Sequence, residues 1–376
     1  MINPELFYEL LNTNQINFYT GVPDSLLKEV CACITDRAGN RNNIIAANEG
    51  NAVAIACGYY LATEGIPLVY MQNSGLGNTV NPLLSLADQD VYNIPVLLLI
   101  GWRGEPGIKD EPQHVKQGKV TLDLLDSMGI EYSILPDSFE ETEHLLLSVL
   151  PRMHQNKKPH ALIVRKGTFS KYIPVNKHDE VFSLTREKAT ERILGHMTSL
   201  DVVVSTTGKT SRELFEIRER NGEGHHRDFL TVGSMGHANQ IALGIALQKT
   251  DRKIFCFDGD GAVLMHCGGM GIIGDLAPSN FIHIILNNGA HESVGGQPTI
   301  GYQIDFEKIA RGFNYKYTFS ATTFKEIDKI MEEIKVLKGP ILIEVKIAKG
   351  ARKDLGRPTV SPIENKENFI KFLKHK

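Results

Sequence analysis

Residues 254–261 read Ile-Phe-Cys-Phe-Asp-Gly-Asp-Gly, and residues 282–289 read Ile-His-Ile-Ile-Leu-Asn-Asn-Gly. Each is an apolar run that ends in hard oxygen donors and a glycine, the pattern of a buried parallel strand turning at its carboxyl end. As neighbouring strands, they would bring Asp260 and Asn288 to the edge where open α/β sheets bind ligands. A carboxylate and an amide oxygen suit Mg2+, which is held by few protein ligands plus phosphate oxygens. Taken one at a time, Gly-Asp-Gly and Asn-Asn-Gly read equally well as tight turns.

The same grammar extends outward. Leu68–Met71, Val96–Ile100, Ala161–Val164, Val202–Ser205 and Ile341–Val345 read as further buried strands separated by helical patterns. The halves also align. Gly50, Ala52, Ile55, Ala56 and Gly58 recur as Gly236, Ala238, Ile241, Ala242 and Gly244, each 186 positions later, and strand Val69–Met71 meets Phe255–Phe257 at the same shift. Ordered matches at a nearly constant shift indicate duplication. The expected fold is α/β, two duplicated doubly wound domains with mainly parallel sheets, 1–170 and 186–376, joined by a polar linker over 171–185. The linker is carried by Ser170, Lys171, Pro174, Asn176, Lys177, His178, Asp179 and Glu180.

The chain has 376 residues, 42% hydrophobic and 23% charged, which excludes disorder and a disulfide-stapled miniature. Lys plus Arg total 41 against 44 for Asp plus Glu, so the balance makes no electrostatic case for nucleic acid. Five cysteines without metal-ligand spacing read as reduced thiols. With neither a signal-peptide pattern nor an apolar run long enough to span a bilayer, the expectation is a soluble, cytoplasmic protein.

Gly259-Asp260-Gly261 followed 28 positions after Asp260 by Asn288 resembles the thiamin diphosphate (ThDP) signature of the decarboxylase superfamily. The resemblance implies that Asp260 and Asn288 bind Mg2+, that Ala290 adds a backbone carbonyl, and that the metal anchors the cofactor's diphosphate. The family uses the second Asn of the pair, but the spacing is about one residue longer than in many members, which leaves Asn287 open. Two other glycine patterns are set aside. Gly269 to Gly274 fits the dinucleotide pattern but lies away from a strand-to-helix turn, so it reads as helix packing. Thr207-Gly208-Lys209-Thr210 looks like the end of a P-loop without its earlier glycine. Its strand–loop–helix setting still offers an anion site, with Thr207 and Gly208 as diphosphate contacts.

Glu49 heads an apolar helix, where an acid ordinarily complements the helix dipole. The resemblance implies another role, a hydrogen bond to N1′ of the aminopyrimidine that lets the cofactor activate its own thiazolium. That chemistry needs a bent cofactor. Gly233 and Met235 look like the family stretch that supports the bend, although Met is also ordinary core filler. The resemblance covers nearly the whole chain, without the middle domain of larger members. It implies a homo-oligomer, because such enzymes hold the cofactor between domains of two subunits.

Residues 101–118 follow a strand and hold the chain's only Trp, three basic residues and a His. They read as a loop covering the reacting centre. His114 resembles the substrate-facing His of ThDP decarboxylases, and Arg103, Lys109, Gln113 and Lys116 are candidate substrate contacts. Asp24, in Gly-Val-Pro-Asp-Ser, is either a proton relay or a cap on the next helix. The compact plan, with Asp-Glu-Pro-Gln-His at 110–114, Asn73 to Asn78 and Glu292 to Gln297, resembles the branch acting on 3-phosphonopyruvate or sulfopyruvate. It implies a 2-oxo acid substrate with a second anionic group, and fusion of the halves favours the phosphonate.

Overall fold

A computed structural model describes residues 1–175 and 181–374. Of the expected linker, residues 176–180 lie outside the described residues. The chain divides into two compact units, Met1–His178 with Ser293–Gln297, and Asp179–Glu292 with Pro298–Lys376.

The first unit is built on a six-stranded parallel sheet of β1 (Tyr19–Gly21), β2 (Asn43–Ile45), β3 (Leu68–Gln72), β4 (Leu97–Gly101), β5 (Glu131–Ile134) and β6 (His160–Val164), in the order β2-β1-β3-β4-β6-β5. The second has β7 (Val202–Ser205), β8 (Asp228–Leu230), β9 (Ile254–Gly259), β10 (Phe281–Asn287), β11 (Tyr317–Ala321) and β12 (Ile341–Lys346), ordered β11-β12-β10-β9-β7-β8. Read from the other edge, that is the first order repeated strand for strand. The duplication seen in the sequence is therefore a duplication of topology.

Alternation along each central strand supplies two cores per unit. Leu68, Tyr70, Leu97, Leu99, Leu162 and Val164 face one side of the first sheet, while Val69, Met71, Leu98, Ile100, Ala161 and Ile163 face the other. In the second sheet Phe255, Phe257, Ile282 and Ile284 oppose Ile254, Cys256, Phe281 and Ile285. Helices cover both faces, so most positions of the central strands are apolar, and each buried apolar side chain contributes about 1.5–3 kcal/mol. All seven expected strands are present, most of them one or two residues longer.

Five strands were not anticipated. Tyr19–Gly21, Asn43–Ile45 and Asp228–Leu230 have three residues each, too few for a periodicity, while Glu131–Ile134 and Tyr317–Ala321 are edge strands with half-exposed polar positions. The helix-packing reading of Gly269 to Gly274 holds. Gly274 lies on the helix Gly268–Leu276, where a Cβ would fall 1.5 Å from the Phe313 carbonyl oxygen. Among the described residues no helix is long and apolar enough to cross a membrane, and the five cysteines are free thiols.

Candidate active-site groups of the two units

In the first unit, Asn48 caps the helix Glu49–Thr63 by accepting from the Asn51 amide, which sets Glu49 in the first turn just beyond strand β2. Glu49 is only 6% exposed, against the expectation for a solvated first-turn acid. Its Oε2 accepts from Asn78 Nδ2 at 2.7 Å, and a Cβ on Gly75 would lie 2.4 Å from Oε1. A side chain at position 75 would therefore displace this carboxylate. The same turn reaches the far side of the site. Asn73 Nδ2 donates to the Arg103 carbonyl at 2.8 Å and to Thr121 Oγ1 at 2.9 Å, and the Arg103 amide donates to Asn73 Oδ1 at 3.1 Å.

Residues 101–118 are not all loop. A helix begins at Pro112, with proline in its favoured first-turn position, so Gln113, His114 and Lys116 are helical. The helix crosses the loop backbone to backbone. A Cβ on Gly118 would meet the Gly104 oxygen at 1.7 Å, and Trp102 Nε1 donates to the Gly118 carbonyl at 2.9 Å. His114 is buried with Nδ1 unpartnered, and burial together with nearby Arg103 lowers its pKa to about 4. Gln113 also buries an unpartnered Oε1, whereas Lys116 is exposed.

Asp24 is fully buried. Its Oδ2 accepts from the Leu26 amide at 2.8 Å, Oδ1 has no partner, and desolvation pushes its pKa up to about 6. The helix-cap alternative for it is not realised, because the next helix starts at Lys28 with Leu27 in the capping position. A Cβ on Gly101 would sit 2.2 Å from Asp24 Oδ2, so the Asp24 side chain, from the segment after β1, reaches across to the end of β4. Arg103 corrects a sequence expectation. Its guanidinium fork is engaged by Asp110, Nε to Oδ2 at 2.8 Å and Nη2 to Oδ1 at 2.5 Å, and Nη1 donates to Ser25 Oγ at 2.7 Å. Beside it lies a cavity of about 220 Å³ lined by Ser25, Leu26, Trp102, Arg103, Gly104, Glu105, Ile108, Lys109, Asp110 and Lys166.

In the second unit, β9 and β10 are paired neighbours, with Leu286 opposite Gly259, so Asp260 and Asn288 leave adjacent strand ends. Asp260 is 2% exposed, its Oδ1 accepting from the Asn288 amide at 3.3 Å and its Oδ2 from the Thr299 hydroxyl. Desolvation raises its pKa to about 6, and an adjacent cation would reverse that shift. Asn288 Oδ1 accepts from the Ala290 amide at 3.1 Å, and its Nδ2 donates to Glu292 at 2.8 Å. The other asparagine is committed elsewhere. Asn287 Nδ2 donates to the Gly301 carbonyl at 2.8 Å and to Glu344 at 2.7 Å, and its Oδ1 accepts from the Gly289 amide.

The remaining expected cofactor contacts gather around this turn. Gly261 faces the His291 ring, a Cβ there lying 3.1 Å from its Cε1. Gly208, at φ 95°, precedes the helix Lys209–Arg220, and half-buried Thr207 sits beside it. Lys209 Nζ bonds Glu292 at 3.1 Å, which ties that helix start to the Asn288 group. Gly233 and Met235 are half-buried, and Met235 is absent from the core clusters. At the following Gly236, φ is 86° and a Cβ would be 3.0 Å from the Ala262 carbonyl oxygen, so this stretch abuts the helix Asp260–Met265. A buried, desolvated carboxylate beside an amide oxygen and a glycine-lined strand end fits Mg2+ and a diphosphate.

Several members of these groups carried no readable signal. Thr299 and the buried pair Arg186–Glu213, Nε to Oε2 at 2.7 Å, come from distant positions, while Glu292, four residues after Asn288, was read only as part of the 292–297 motif. Asp258 Oδ1 accepts from the Gly259 amide at 3.1 Å and its Oδ2 lies 3.4 Å from His283 Nε2, bracing the turn from beneath. In the first unit Lys166 was likewise missed, while Asp110 and Asn78 were read only as members of the 110–114 and 73–78 motifs, with no role assigned.

The thiamine pyrophosphate enzyme models match both units, the N-terminal TPP binding domain over residues 4–127 and the C-terminal TPP binding domain over 206–345. The chain is 34% identical over 368 residues to phosphonopyruvate decarboxylase from Streptomyces viridochromogenes, covering 94% of this chain and 90% of that one. A phosphonopyruvate decarboxylase from Streptomyces hygroscopicus is also 34% identical, over 94% of this chain and 89% of its own. Sulfopyruvate decarboxylase from Methanosarcina acetivorans is 28% identical over 99% and 98% of the two chains. The chain belongs to the thiamine pyrophosphate enzyme family. Within that family it is a ThDP-dependent decarboxylase.

Proposed function

We propose that the chain decarboxylates 3-phosphonopyruvate to phosphonoacetaldehyde and CO2, as a Mg2+-dependent cytoplasmic homo-oligomer. One observation carries the substrate: identity to phosphonopyruvate decarboxylases is 34% over nearly the full length of both chains, against 28% for the sulfopyruvate enzyme. Sulfopyruvate is the alternative substrate. Residues 1–170 and 186–376 serve as pyrimidine-binding and diphosphate-binding domains, and subunits pair so that each cofactor is held by both.

Bound ThDP supplies an electron sink for the carboxylate carbon's bond. Asp260, Asn288 and the Ala290 carbonyl hold Mg2+, with Gly259, Gly261, Thr207 and Gly208 admitting the diphosphate. Gly233 and Met235 support the pyrimidine end, and Glu49 holds a proton at its ring nitrogen. His114 stays neutral at physiological pH, so it accepts or relays a proton instead of presenting a fixed charge. Asp24, with a pKa near 6, exchanges a proton in the same range. Gln113 orients the substrate from the first turn of its helix. CO2 release measured side by side on 3-phosphonopyruvate, sulfopyruvate and pyruvate, with Mg2+ and ThDP added to stripped protein, tests this. Much faster turnover of sulfopyruvate or pyruvate overturns the substrate assignment.

A further inference from the structure

We propose that the cavity beside Arg103 is the subsite for the substrate's second anionic group, and that Lys166 and Lys109 are its specificity-determining residues. The proposal rests on the substrate reading above and deepens it. Strand pairing assembles the subsite. In β4 and β6, Gly101 lies opposite Val164, and the Trp102 amide continues the ladder to the Val164 carbonyl at 2.8 Å. Residues two positions beyond these ends, Arg103 and Lys166, therefore line one cavity although 63 positions separate them in the chain.

The charges leave a defined surplus. Arg103 is neutralised by Asp110, and Glu105 is paired by Arg165 at 2.9 Å. Lys109 and Lys166 both line the cavity, and among the described residues neither ammonium has an ion-pair or hydrogen-bond partner. Two unmatched cations face a space of about 220 Å³. That surplus matches a phosphonate, which approaches two negative charges near neutral pH as phosphate monoesters do, better than a sulfonate, which stops at one. Arg103 has a different part. Held by Asp110 and Ser25, it forms a rigid wall and adds its donors only at the rim. The cavity adjoins Asp24, because its lining residue Ser25 follows Asp24 directly and the Asp24 carboxylate packs on Gly101, next to the lining residue Trp102.

Lys109 and Lys166 are exposed at the cavity's mouth, so the test compares Lys166→Met, Lys109→Met and Lys166→Arg with the wild-type holoenzyme, using Lys119→Met, equally exposed but outside the cavity, as the control. Each is assayed for KM and kcat on 3-phosphonopyruvate and sulfopyruvate, and for the Kd of 3-phosphonopropionate, which keeps both anionic groups but lacks the reactive carbonyl. Expected is a KM at least tenfold higher for 3-phosphonopyruvate in each Met variant, with kcat within threefold and at most a threefold rise for sulfopyruvate. Lys166→Arg should restore KM to within threefold. If both Met variants keep wild-type KM and Kd within twofold, the proposal is overturned. If the wild type fails to decarboxylate 3-phosphonopyruvate while the Met variants lose 3-phosphonopropionate binding tenfold, the subsite stands and the substrate reading alone falls.

Discussion

Arg103 and Asp110 form a two-pronged ion pair, Nε to Oδ2 at 2.8 Å and Nη2 to Oδ1 at 2.5 Å, that closes the loop between strand β4 and the helix starting at Pro112. Asp110 Oδ2 also accepts from the Gly104 amide at 2.9 Å, so one carboxylate fixes both ends of a seven-residue span. Replacing it by Asn removes the charge and one prong. Charge-assisted bonds of this kind contribute about 1.5–3 kcal/mol. Asp110→Asn should therefore lower the Tm of the first unit by about 4–8 °C, measured by thermal denaturation, and an unchanged Tm contradicts the closing role.

Glu49→Gln keeps shape and burial but cannot share a proton with a ring nitrogen as a carboxylate does. Its kcat should fall by about 100-fold or more while ThDP binding persists. The paired readout is kcat on 3-phosphonopyruvate and cofactor content by fluorescence titration. Normal turnover would falsify the proposed activation route.

Asp260→Ala removes the buried carboxylate that Thr299 and the Asn288 amide converge on. The expected outcome is loss of Mg2+-dependent ThDP binding in calorimetry, with the second unit still folded by circular dichroism. Retained Mg2+-dependent affinity would place the metal elsewhere.

Asp24 makes a pH prediction. Its folded pKa, raised to about 6 by burial, exceeds the usual carboxylate value, so its contribution to stability is full below about pH 4 and lost as pH rises through 6. A shift of about two units corresponds to roughly 3 kcal/mol. Asp24→Asn should match the wild type near pH 4 and exceed its unfolding free energy by about 2–3 kcal/mol at pH 7, while kcat drops. Parallel urea titrations at the two pH values decide, and a constant difference between them refutes the assignment.

Much of the fold was legible because both faces of each central strand are covered. Phe281–Asn287 is buried at every position and shows in the sequence as an apolar run broken only by His283 before it ends at Asn287. Glu131–Ile134 did not show, since an edge strand needs apolar residues on one face at most. The loop expected over 101–118 shortened because Pro112 starts a helix whose register the adjacent polar residues conceal. At the site, Asp260 and Asn288 were readable because each ends an apolar run. Thr299 was not, for an isolated hydroxyl in a polar segment has no pattern to mark it.

From the sequence alone came the strand runs, the duplication, the acid at the head of the apolar helix after Asn48 and the oxygen donors of the second half. These are local properties, written in periodicity and in the residues that end an element. Tertiary structure decided which chain ends stand side by side. Arg103 looked free to grip an anion until Asp110 folded onto it, and Lys166, just past the end of β6, carried no signal until β6 paired with β4. Partner choice of that kind depends on sheet order and register, which arise from the packing of the whole unit and leave no mark on the residues that meet.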